Sequence, residues 1–160
     1  MTGRRLVALS LGALALTALA GLWSPVGAVI DPLLVVAVLA ALPGRQATAL
    51  GAGLLTGALE DGWRSLWFGL NAFTHMVVAF GMSVLAGRID LTQTMPTALA
   101  LAAATALDWA LQLGISAMFD RPIGEPPAPA IWLVAMAANT LLGLFARGLM
   151  LRRESRRWVR

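Results

Sequence analysis

The chain is 160 residues long, 59% hydrophobic and 12% charged, with a mean hydropathy of +0.78 and a net charge of +4. Soluble domains carry about 25% charged residues, so an ordinary water-soluble globule is excluded. Every basic residue is an arginine placed at the end of an apolar segment, which argues against nucleic acid as a partner, and the absence of cysteine excludes disulfides and thiolate chemistry.

At about 20 residues per crossing plus short loops, the length allows about five to seven spans and no separate soluble domain. Residues 1–5 form a basic head and residues 6–23 an unbroken apolar run. Ala18-Leu19-Ala20 resembles a signal-peptide cleavage site. The run exceeds the usual apolar region of about 7–15 residues, so a retained first span is expected. The second span, residues 26–42, contains Asp31-Pro32. Asp31 is a good N-cap and Pro32 is preorganised for the first helical turn, so the rigid helix is expected to start there.

After the turn Pro43-Gly44-Arg45-Gln46, a third span over 47–59 carries Gly51, Gly53 and Gly57. Small residues at such spacing let backbones approach closely in a membrane, here as part of a partner surface. Glu60-Asp61-Gly62 is expected to end that helix as a polar hinge, followed by the interfacial aromatics Trp63, Trp67 and Phe68. A fourth span over 69–86 includes Gly69, Asn71 and His75, a fifth over 95–119 includes Asp108, and a sixth over 130–151 includes Asn139.

Arginine placement selects the topology. With six spans and a cytoplasmic N-terminus, Arg4, Arg5, Arg45, Arg88, Arg147, Arg152, Arg153, Arg156, Arg157 and Arg160 fall inside, and only Arg64 and Arg121 outside. Five or seven spans would put the basic head or the basic tail on the wrong face. The expectation is an all-α, polytopic integral membrane protein with six transmembrane helices and both termini cytoplasmic. Residues 1–151 form one transmembrane domain and 152–160 a basic cytoplasmic tail suited to anionic lipid.

Glu60 and Asp61 read most simply as helix-end caps facing water. His75, the only histidine, reads as a bundle residue held by hydrogen bonds or as a proton-relay group. A metal site wants three or four ligands, and neither a metal-binding histidine motif nor a clustered carboxylate pattern accompanies it. Asp108 is the most demanding residue, because a carboxylate near mid-bilayer costs about 2.5–3.5 kcal/mol and needs an internal partner. Counted from the cytoplasmic ends of their spans, His75, Asp108 and Asn139 lie at heights of about 18, 19 and 17 Å. A shared polar layer, with Asp108 touching His75 or Asn139, is expected.

No phosphate-binding loop, nucleophile elbow or dinucleotide fingerprint occurs, so neither an enzyme nor a cofactor is expected. Two classes remain: a membrane scaffold, and a small-solute carrier or the substrate-binding membrane subunit of a modular, energy-coupling type transporter. The carrier would need several convergent polar groups, often in two matched halves, and no internal repeat is visible.

The pattern Gly57, Asp61, Gly69-Leu70-Asn71-Ala72 and, after a helix length, Gly87-Arg88 resembles the central segment of the MreD family, with Asp31-Pro32 at its start and Asp108 at an acidic position of the fifth span. Trp63, Trp67 and His75 lie outside that signature. The resemblance implies a non-enzymatic inner-membrane scaffold of the bacterial cell-elongation (rod) complex. Such a protein binds MreC and helps couple the peptidoglycan synthases RodA and penicillin-binding protein 2 to MreB, and so regulates cell shape.

Overall fold

The computed structural model describes residues 9–13, 15, 30–64, 67–91, 93–120 and 128–155. They form helices α1 (Pro32–Ala41), α2 (Gln46–Arg64), α3 (Leu70–Ala86), α4 (Thr94–Met118) and α5 (Pro129–Ser155). A further helical piece covers residues 9–13, and no strand occurs among the described residues.

α1 starts where its sequence requires. The Asp31 carboxylate accepts the Leu34 amide at 2.8 Å, and Pro32 occupies the first turn, where its missing N–H costs nothing. The helix ends in a turn closed by Gly44, whose φ of +71° suits glycine. All ten residues of α1 are buried, and α2, α3, α4 and α5 all pack against it. At about 15 Å it reaches only half-way through a bilayer core of about 30 Å.

α2 and α3 form an antiparallel hairpin in backbone contact. A Cβ at Gly53 would lie 2.5 Å from the His75 carbonyl oxygen, and one at Gly57 would collide with the Asn71 carbonyl and the backbone of Ala72. Both glycines are therefore packed against the backbone of α3 within the chain, as a structural motif. The hinge expected at Glu60-Asp61-Gly62 is also displaced, because α2 runs on to Arg64. Both carboxylates turn into the bundle rather than toward water: Glu60 is 6% exposed and Asp61 4%. The break comes later, at Gly69, whose φ of +100° redirects the chain into α3.

α4 packs against α5, with Leu101 lying against Gly143. The core threads between all five helices through Leu34, Val38, Val78, Ala79, Leu101 and Ala104. These two helices are the ones long and apolar enough to cross a membrane, over Thr94–Met118 and Pro129–Leu151. Two such helices, rather than six, are thus present among the described residues. α1 is too short, α3 has only 17 residues, and α2 carries Glu60, Asp61 and Arg64 in its last turns. Most of the expected first span lies outside the described residues, as do 121–127 and 156–160. The basic tail expected from residue 152 begins as a continuation of α5, which runs to Ser155.

The two ends of the bundle differ in chemistry. Gly44 lies beside Gly87, and the Arg147 guanidinium donates to the Gln93 carbonyl at 3.2 Å and to the Thr97 hydroxyl, so Arg45, Arg88 and Arg147 share one end. At the other end Trp67 meets Phe119 edge-on with ring centroids 5.9 Å apart, and Trp109 meets Trp132 at 5.0 Å. Trp63 and Phe68 are exposed there, at 56% and 83%.

Candidate functional site

Near the aromatic end, four ionisable side chains from four different elements meet around one imidazole nitrogen. His75, in the second turn of α3, is completely buried. Its Nε2 lies 3.4 Å from Asp31 Oδ2, 3.4 Å from Glu60 Oε2 and 4.0 Å from Asp108 Oδ1. Asp31 comes from the cap of α1, Glu60 from the last turns of α2 and Asp108 from the middle of α4.

Asp31, Asp108 and His75 are each held from behind. The second oxygen of Asp31 caps α1, and the Asp31 amide donates to Asn139 Oδ1 of α5 at 2.8 Å. Asn139 Nδ2 in turn donates to the Thr105 hydroxyl at 3.4 Å. Asp108 Oδ2 accepts from Gln112 Nε2 at 2.7 Å, and the same amide reaches Asn71 Oδ1 at 3.2 Å. On the far side of the imidazole, Nδ1 lies 3.3 Å from the Thr56 hydroxyl. Yet His75 Nε2 and Asp108 Oδ1 are buried with no hydrogen-bond partner. A buried polar atom left in that state costs about 1–3 kcal/mol, and more when charged. Carboxylates and an imidazole aimed at one point offer a place for a cation or a shared proton.

Asp61 serves a separate, local task. Its carboxylate accepts the amides of Gly69 at 2.8 Å, Asn71 at 3.0 Å and Ala72 at 3.0 Å. These are the orphan donors at the start of α3, where negative charge also complements the helix dipole. Asp61 is therefore a cap, but for the helix that follows its own.

The expected layer of His75, Asp108 and Asn139 is present in one neighbourhood, with Asp108 facing His75 and Asn139 joined through Asp31. Asp31 and Glu60 were expected as helix caps within a partner-binding or structural motif, apart from the polar layer, and the structure places both beside His75. One signal was available for Glu60: Gly53, Thr56, Gly57 and Glu60 recur at three- and four-residue steps, so the face that meets α3 through glycine also carries Thr56 and Glu60. Asp31 had no comparable signal, because its capping role fully accounts for it locally. Trp63 stays on the surface, and Trp67 packs on Phe119.

Comparison of the chain with family models, with characterised proteins and with solved structures gave no match.

Proposed function

We propose that the chain is a non-enzymatic, multi-pass inner-membrane scaffold of the MreD type. It would cross the membrane six times with both termini cytoplasmic. The observation that carries the membrane reading is the polarity of the bundle. Arg45, Arg88 and Arg147 gather at one end and Trp63, Trp67, Trp109 and Trp132 toward the other, while Leu133, Val134, Leu141 and Phe145 on α5 are more than half exposed between them. Arginine on the cytoplasmic side, aromatics at an interface and apolar side chains between are what a bilayer selects. In this arrangement α1 is a half-length segment walled by its neighbours, which is tolerated at membrane depth only when protein surrounds it.

The rod-complex role rests on the sequence resemblance. Its support is that the resembling residues form one physical unit: Gly57 lies against Asn71 and Ala72, and Asp61 binds the amides of Gly69, Asn71 and Ala72. In this reading the scaffold binds MreC through its exposed apolar surface and helps link RodA and penicillin-binding protein 2 to MreB. Purification from native membranes, with mass spectrometry of what accompanies the chain, is the test. Recovery of MreC is expected, and recovery of an ATPase-linked transport module instead would overturn it.

That second outcome belongs to the alternative, a small-solute carrier or the substrate-binding membrane subunit of an energy-coupling type transporter. One observation favours it: Asp31, Glu60, His75 and Asp108 converge, as a carrier site for a charged solute would require.

A further inference from the structure

The orientation of the His75 ring follows from the hydroxyl behind it. Thr56 donates to the Gly53 carbonyl at 3.3 Å, and a hydroxyl has one proton to give. Its oxygen is then an acceptor for His75 Nδ1–H, 3.3 Å away. A neutral imidazole so held presents a lone pair at Nε2, and that lone pair faces oxygens of three carboxylates. Acceptors facing acceptors repel, so a positive species must lie between them.

Distances decide which species. A proton on Nε2 would draw one carboxylate to about 2.7–2.9 Å, the length of a charge-assisted N–H···O bond. Instead two oxygens stand off equally at 3.4 Å, with a third at 4.0 Å. Ligands bound tetrahedrally at about 2.1 Å are separated from one another by about 3.4 Å, the edge of the tetrahedron. The ligand atoms of Asp31, Glu60 and His75 all lie within 4.8 Å of one another, and Asp108 Oδ1, 4.0 Å from Nε2 and without a hydrogen-bond partner of its own, stands just outside them and must move inward to become a fourth ligand.

We propose that Asp31, Glu60, His75 and Asp108 bind a single divalent transition ion of the zinc class. The surroundings fit that task. A metal-ligating histidine donates its other N–H to an oxygen, as His75 does to Thr56, and ligating carboxylates are themselves hydrogen-bonded. Asp31 and Asp108 each commit one oxygen to such a bond, from the Leu34 amide and from Gln112, and turn the other toward His75. Three carboxylates with a neutral histidine carry a charge of about −3, which a divalent ion reduces to about −1 in a site otherwise shielded from water. The Asp31 side chain is 16% exposed, so the site is not fully sealed against an entering ion. With ligands on α1, α2, α3 and α4, and α5 attached through Asn139, the ion ties every described long helix to one point.

The test uses the full chain, purified in detergent without chelators and dialysed against zinc, with metal content measured by plasma mass spectrometry. One zinc per chain is expected, and replacement by cobalt should give the intense visible absorption of a tetrahedral site. Glu60→Gln and Asp108→Asn preserve shape and should weaken zinc binding at least about tenfold. His75→Ala should abolish the cobalt spectrum. Wild-type chain that is folded yet takes up neither zinc nor cobalt would overturn the proposal, leaving a proton-sharing cluster. Zinc bound equally by wild type and all three variants would overturn it too, because the ion would then sit elsewhere.

Discussion

The α2–α3 and α4–α5 contacts are both built around glycine, yet they tolerate change very differently. At Gly53 and Gly57 the opposing atoms are the backbone of α3, at His75, Met76, Asn71 and Ala72. At Gly143 the opposing atoms are the methyl groups of one leucine, Leu101, the nearest 2.5 Å from where a Cβ would stand. A backbone carbonyl can retreat only if a whole helix moves, whereas a leucine can turn to another rotamer. The identity of the neighbour, rather than the glycine, therefore sets how rigid an interface is.

Three substitutions probe that contrast. Gly57→Ala should have the largest effect, about 3 kcal/mol or more, since the added methyl pushes α2 off α3 and disturbs Thr56 and Glu60 on the same face. Thermal unfolding in detergent measures it, and an unchanged midpoint would mean the hairpin is not in backbone contact. Asp61→Ala comes second. It leaves the amides of Gly69, Asn71 and Ala72 without their acceptor at the start of α3, for a loss of about 2–3 kcal/mol. Hydrogen exchange should show faster exchange at those amides while α4 is unaffected. Gly143→Ala should cost least, about 1 kcal/mol or below, because Leu101 can repack. Should Gly143→Ala prove as damaging as Gly57→Ala, the distinction between the interfaces would fail.

Local chemistry made much of the fold legible. Asp31-Pro32 marks the start of α1 because cap and proline act within one turn. The ends of α4 and α5 fall within a residue or two of the positions expected from their apolar runs, except that α5 continues to Ser155. Glu60-Asp61-Gly62 misled for a physical reason. Two carboxylates and a glycine look like an exit into water, but both find partners across the hairpin, one on the amides of α3 and one beside His75. The same limit governed the site. Depth counting brought His75 and Asp108 together because helical rise is regular, whereas Asp31 meets Asn139 over a sequence separation of 108 and no local pattern encodes that. Hydropathy alone also made the segment around α1 resemble a full-length span, although its described part is short and walled by neighbouring helices.

The complete burial of α1 also has a temporal side. Ribosomal synthesis delivers this helix before α2, α3, α4 and α5, yet those four supply most of its walls, beside Leu9 and Ala13 against Leu33 and Val36. The first of the five helices to be made thus completes its surroundings only when the last has been added. Until the C-terminal pair is complete, the face of α1 that meets α4 and α5, and the Asp31 amide that binds Asn139, wait without their native neighbours. A ribosome that stalls within α4 or α5 would therefore leave α1 with part of its apolar surface uncovered.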